Sequence, residues 1–249
     1  MSPLFVDKMM SLFVDTPKVT PTSIETMMGH FVDLVDPDPK TIFLNDIAWA
    51  LSRMPRYVGH TVSAVPWTIG QHSLFVVELV DLLRKPECPP DLLKSFYDFV
   101  NEKMQLNASL TDRVKGFAKA APNALLFELL MHDSSEAFIV DVPTPLKQAE
   151  GFKQAYLALE QRMMAAIRER FAMGEIDPEY EIVVKWADAA ALTIEAHHLI
   201  FSKGKYWPRL LPNLDMTSMR LLPAPKQSID VYHDFIDMFI ELRGEQLVR

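Results

Sequence analysis

Four side chains, far apart in the chain, are of the types that hold a divalent cation: His72, the adjacent pair His132 and Asp133, and Asp188. Two imidazoles and two carboxylates make a mixed nitrogen and oxygen shell. Each sits in a stretch that otherwise reads as buried helix, where a polar group must be paired, hydrogen-bonded or bound to an ion to be tolerated. The chemistry such a set supports is metal-assisted hydrolysis. Alone, each has a plainer reading: His72 as a satisfied core histidine, His132 and Asp133 as part of an internally salt-bridged helix end, Asp188 as a core carboxylate capping a neighbouring element.

The spacing also predicts the elements that must position them. Thr68 and Gln71 have the separation of a capping box, and Phe75, Val76, Leu79, Val80 and Leu83 continue an apolar stripe that His72 shares. Arg84, Lys85 and Pro86 close that helix. Residues 124–140 read as one further helix. At 100° per residue, with His132 at zero, Leu125 falls at about 20°, Glu136 at about 40°, Leu129 at about 60° and Asp133 at about 100°, so three ionisable groups share an apolar arc. Glu136 is then close enough to address a water on the cation without being a ligand. Asp141 follows, and Pro143 and Pro145 force an extended turn. After Asp177 and Pro178 a long helix is predicted over 181–201; on it Asp188 shares a stripe with Val184, Ala191 and Leu192, with Glu195 two turns on. His197 and His198 read as rim residues.

The chain has 249 residues, 49% of them apolar, enough for one sizeable core. Glycine is scarce, at 8 residues against 14 methionines, which favours helix. The expected fold is all-α: a helical bundle with an N-terminal arm (1–44), a core (45–202) carrying a helical insertion (86–122), and a C-terminal wrap and helix (203–249, the helix over 228–247). The arm repeats LFVD at 4–7 and 12–15, too short an echo for a structural repeat. A formal charge of -8 argues against a long nucleic acid and for a small anionic ligand. Cys88 is the sole cysteine, so an intrachain disulfide is excluded. The N-terminal residues lack a signal-peptide pattern and no segment reaches the length of a membrane span. The expectation is a cytoplasmic protein with no membrane or polynucleotide partner. The proline-bracketed insertion is read first as extra packing and second as a lid or a contact in a homo-oligomer.

The order H…HD…D, with QHS at 71–73, MHDSSEAFIVDVPTPLK at 131–147 and WADAAALTIEA at 186–196, resembles the HD-domain superfamily of metal-dependent phosphohydrolases. Within it the chain is most similar to the bacterial 5'-deoxynucleotidase branch and its phage-type relatives, through the arginine-aromatic loop SRMPRYVGHT at 52–61. The likeness covers about residues 45 to 202.

This resemblance implies that His72, His132, Asp133 and Asp188 hold one divalent ion, with Mn, Co, Fe, Zn, Ni and Mg all compatible with the ligand set. It implies that Glu136 handles the proton, Arg56 holds phosphate, Tyr57 stands against the nucleoside where the family often has tryptophan, and Asp141 lies near the sugar, where it helps reject a ribose 2'-hydroxyl. Arg53 and Lys147 would join Arg56 in neutralising the transferring group, and His60 would bind substrate or organise the loop. Two departures, Tyr57 for tryptophan and a loop between Arg56 and His72 about one residue longer than the pattern, leave base and sugar preference open. The implied activity is hydrolysis of a deoxynucleoside mono- or triphosphate. The rivals are an HD hydrolase of another nucleotide, such as an alarmone or cyclic nucleotide, and a catalytically silent binding protein; an intact HDxxE speaks against the last.

Overall fold

The structure, a computed structural model, describes residues 18–103, 108–212 and 214–244. The LFVD echoes fall outside the described residues. Among the described residues the fold is all-α apart from one small hairpin. In chain order the hairpin strands are β1 (Ser23–Glu25) and β2 (Phe31–Asp33). The helices are α1 (Leu44–Leu51), α2 (Ile69–Leu82), α3 (Pro90–Lys103), α4 (Ala108–Ala120), α5 (Asn123–Met131), α6 (Glu136–Ile139), α7 (Thr144–Lys147), α8 (Phe152–Arg170), α9 (Pro178–Leu199), α10 (Met216–Met219) and α11 (Ser228–Arg243).

The described part of the expected arm is more ordered than its composition suggests. Strands β1 and β2 pair antiparallel with Ile24 opposite Val32, and Gly29 turns the chain at φ 81°. Asp33 accepts hydroxyl bonds from Thr20 and Thr22, and His30 Nδ1 lies 2.6 Å from Asp46 at the start of α1. The hairpin is thereby pinned to the bundle, with Val32 fully buried.

Helix α2 is the central strut. Thr68 caps it by accepting from Gln71 N at 3.2 Å, while the Gln71 side chain bonds the backbone of Ala224 and Lys226 instead of reaching back to Thr68. Half of the predicted capping box forms, and its other half fastens the C-terminal wrap. Helices α5 and α9 pack on α2, and α11 packs on α1, α2 and α5. Val231, Phe235 and Phe239 of α11 are fully buried, each such side chain contributing roughly 1.5–3 kcal/mol. Helix α11 stops at Arg243, before Gly244 at φ 82°, short of the end expected at 247; residues 245–249 lie outside the described residues.

The 86–122 segment packs into the bundle. Helices α3 and α4 both lie on α9; Phe96 meets Trp186 edge-on at 4.9 Å, and Leu92, Val100, Val114 and Ala118 are fully buried. Helix α9 starts at Pro178, three residues before the predicted start, because Asp177 caps it by accepting from Glu179 N at 2.8 Å and proline suits the first helical position. A bidentate Arg168–Glu128 pair at 2.7 and 2.8 Å ties α8 to α5.

Gly70, in the first turn of α2, sits where two helices close in. A Cβ there would stand 3.0 Å from Val231 Cγ1 and 3.2 Å from the Leu51 carbonyl carbon. A Gly to Ala change inside a helix ordinarily stabilises by up to about 1 kcal/mol. Here the backbone of Leu51 cannot give way cheaply, so Gly70→Ala is expected to destabilise the fold by about 1 kcal/mol or more. Urea unfolding would read this as a lower midpoint; an unchanged or higher one refutes the close packing.

Candidate functional site

His72 projects from the first turn of α2, His132 and Asp133 follow the end of α5, and Asp188 lies mid-way along α9. The predicted single helix over 124–140 breaks here. Backbone N–H groups of Ser134, Glu136 and Ala137 bond three residues back, to Met131, Asp133 and Ser134, so the chain winds at 3₁₀ pitch, near 120° per residue. The 100° wheel therefore holds only as far as α5, and Glu136 opens the separate short helix α6.

The folded chain brings the four residues together. His72 Nε2 lies 3.2 Å from Asp188 Oδ1 and 3.6 Å from Asp133 Oδ2, and His132 Nε2 lies 3.2 Å from Asp133 Oδ2. One ligand atom from each of His72, His132 and Asp133 lies within 4.8 Å of the others. Asp188 joins them through His72. Its side chain keeps 48% of its surface accessible although protein crowds its other sides, so it faces an opening.

The hydrogen bonds behind the two imidazoles fix which nitrogen points into the cluster. His72 Nδ1 lies 2.6 Å from Glu195 Oε1, and His132 Nδ1 lies 2.7 Å from the Leu129 carbonyl. Both partners only accept, so both Nδ1 atoms carry the proton. Each buried Nε2 is left without a hydrogen-bond partner among the described residues: the carboxylates stand at ion-pair distance but lack hydrogen-bond alignment. Two unpartnered Nε2 atoms beside two carboxylate oxygens are the donor set a divalent cation takes, with the outer hydrogen bonds that orient ligating histidines already formed.

The electrostatics show the same demand for positive charge. Burial draws the His132 imidazole down, but Asp133 and then Asp188 override it and carry it up to about 9. Asp133, which burial would raise, is held well below the usual carboxylate range by His132, His72 and Arg56. Glu136 goes the other way: burial first, then the charges of Asp133 and Asp141, push its carboxyl up to about 9. Glu136 is 5% exposed, its Oε2 lacks a partner among the described residues, and its Oε1 lies 3.7 Å from Lys147 Nζ. Asp141 is raised by burial and by Asp133, against Arg56 and Lys147.

The arginine-aromatic loop reaches the cluster from the far side. Arg56 Nη1 lies 3.5 Å from Asp133 Oδ2 and its Nε 3.2 Å from Glu195 Oε2. The Tyr57 hydroxyl donates to Glu195 Oε2 at 2.5 Å, and its ring lies 5.8 Å from Trp207. Tyr57 and Val58 both adopt left-handed backbone, at φ 59° and 55°, as does the following Gly59. Such non-glycine residues are strained by about 1–3 kcal/mol each and persist only where surrounding contacts hold them.

Two expected residues are not brought in. Arg53 stacks on Trp49, its Cζ 3.2 Å from the ring centroid, and bonds the Trp49 carbonyl and Ser52 hydroxyl; two residues past the end of α1, it folds back onto that helix. His60 is exposed and closes the 56–59 turn through its backbone N–H. Lys147 meets the site through Glu136, at 3.7 Å, and also faces Glu160 at 3.5 Å and the Tyr156 ring at 4.7 Å. The residue that site reasoning on the sequence passes over is Glu195, fully buried and in touch with His72, Arg56 and Tyr57. Its signal was its place seven residues after Asp188 on one helical stripe.

Fold and site together define an all-α bundle enclosing a histidine-carboxylate cluster. No family model matches the chain. It is similar to the uncharacterized protein YfdR of Escherichia coli, 27% identical over 224 residues that cover 88% of this chain and 97% of that protein. It is also similar to an uncharacterized protein of Rhodobacter capsulatus, 27% identical over 212 residues covering 80% and 87%. Among the described residues, no helix is long and apolar enough to cross a membrane.

Proposed function

We propose that this protein is a metal-dependent phosphohydrolase of the HD type, acting on a small nucleotide, with a deoxynucleoside mono- or triphosphate as the favoured substrate class. The observation that carries this reading is the pair of buried Nε2 atoms, each oriented by a hydrogen bond behind it and facing Asp133 and Asp188. His72, His132, Asp133 and Asp188 would hold the ion. When bound, a divalent cation supplies Lewis acidity, polarising a phosphoryl oxygen and acidifying water.

The chain's own groups do the rest. Arg56, steadied by Glu195 on one side, offers its remaining N–H groups to phosphate oxygens, two of which a planar guanidinium fork can meet at once. Glu136, holding its proton in a buried niche, gives it to the leaving oxygen. Tyr57 and Trp207 offer ring faces to a base, and Asp141 borders the sugar. The formal charge of -8 suits a substrate whose few negative groups are met by a local cation and one arginine instead of a broad basic face.

The test is a panel assay with Mn or Co over dNMPs, dNTPs, rNMPs and alarmones, reading phosphate, pyrophosphate or triphosphate as product. Turnover of a deoxynucleotide with a single product identifies the bond broken; no turnover of any member with any metal refutes the enzyme reading. Asp141→Ala is expected to erode the preference for deoxy over ribo substrate by about tenfold, since a rejected hydroxyl is worth roughly 1–3 kcal/mol in a polar pocket. Equal discrimination before and after would remove Asp141 from the sugar pocket.

A further inference from the structure

Glu195 is the most buried carboxylate of the site, at 0% exposure, and its two oxygens face different parts of it. Oε1 accepts from His72 Nδ1 at 2.6 Å. Oε2 accepts from the Tyr57 hydroxyl at 2.5 Å and lies 3.2 Å from Arg56 Nε. The first contact fixes a metal-accepting nitrogen. The second holds a turn whose residues Tyr57 and Val58 are in left-handed backbone, a conformation that relaxes unless something restrains it.

Resting on the functional reading above, we propose that Glu195 is a positioning residue that organises both halves of the site: through Oε1 it sets the nitrogen His72 presents to the metal, and through Oε2 it holds the Arg56–Tyr57 turn that receives phosphate. A carboxylate behind a ligating histidine fixes the ring and makes it a stronger ligand. A carboxylate beside an arginine fixes the fork that meets a phosphate. Because one rigid group does both, removing its charge weakens two separable bindings at once. Glutamine shows why the charge matters. With its oxygen toward His72, its amide group faces the Arg56 guanidinium donor to donor; turned over, it faces the Nδ1 proton and breaks the tautomer that frees Nε2.

The experiment uses the full chain as wild type, Glu195→Gln, Tyr57→Phe and Arg56→Lys. Cobalt binding is followed by visible absorption without any nucleotide, and inorganic phosphate binding to cobalt-saturated protein by calorimetry. In the zinc-loaded protein, the proton on His72 Nδ1 is followed by nuclear magnetic resonance. Glu195→Gln is expected to lower cobalt affinity by about 10–100-fold, to lower phosphate affinity of the loaded protein by about tenfold, and to move the far-downfield Nδ1 proton upfield, which a general loosening of the fold would not do selectively. Tyr57→Phe and Arg56→Lys should spare cobalt affinity and lower that for phosphate. Cobalt and phosphate affinities within about threefold of wild type in Glu195→Gln, or loss of only one of them, overturn the proposal while leaving the metal site standing; a threefold change is under 1 kcal/mol, too small for the loss of a charged hydrogen bond. If Glu195→Gln does not fold, unchanged phosphate affinity in Tyr57→Phe overturns it instead. Failure of the wild type to bind cobalt sinks the metal-site reading and this inference together.

Discussion

Replacing Asp133 with alanine is expected to abolish metal binding and hydrolysis in the same variant. Asp133 Oδ2 is the point on which the site converges: His132 Nε2 lies 3.2 Å away, Arg56 Nη1 3.5 Å and His72 Nε2 3.6 Å. Without that oxygen the cluster of three ligand atoms within 4.8 Å no longer exists. Lewis-acid stabilisation of a transition state is worth several kcal/mol, and each 1.36 kcal/mol is tenfold in rate, so the loss should be about 10³-fold or more. Metal content by elemental analysis and turnover on the best panel substrate should fall together. The fold is expected to survive, since Arg56 keeps Glu195 and His132 keeps the Leu129 carbonyl. A folded variant with full activity would refute the assignment outright.

Glu136→Gln should separate the two properties. Glu136 opens α6 behind the 3₁₀ turn that carries Asp133, and its contacts run to Lys147, away from the imidazoles. Glutamine preserves its shape and removes its proton chemistry, so metal content should match the wild type while kcat falls by about 10²–10⁴-fold with KM little changed. The pH profile adds a second readout. A carboxyl pushed up to about 9 by burial and by Asp133 and Asp141 holds its proton below that pH and loses it above. As a proton donor it makes activity decline as pH rises through its pKa, and a bound cation, offsetting Asp133, moves that limb to lower pH. The glutamine variant has no such limb. An alkaline limb that persists unaltered, or an unchanged kcat, would take the proton-transfer role away from Glu136.

The helices that carry the candidate site were largely legible in the sequence, because they rest on interactions between near neighbours. Thr68 caps α2 from three residues away and Asp177 caps α9 from two, and the apolar periodicity that places His72 inward and Asp188 on the stripe of α9 extends over a few turns. The all-α class follows from the same local preferences. Where the backbone leaves ideal geometry the sequence reading fails. The 100° wheel cannot register a change to 3₁₀ pitch at Asp133, and neither hairpin strand, at three residues, is long enough for alternation to reveal it. Arg53 and Arg56 look equivalent as residues, yet one turn of chain sends the first onto Trp49 and the second into the cluster.

The contacts of Glu195 belong to the tertiary structure. Its partners Tyr57 and His72 lie 138 and 123 residues away in the chain, and nothing in the periodicity of α9 says which loop will cross it. That is settled by how α9 lies on α2 and by the left-handed turn at 57–59, both products of close packing between distant segments. Sequence alone supplied the four candidate side chains and the helices that carry them; the crossing of those helices decided which carboxylate stands behind His72 and beside Arg56.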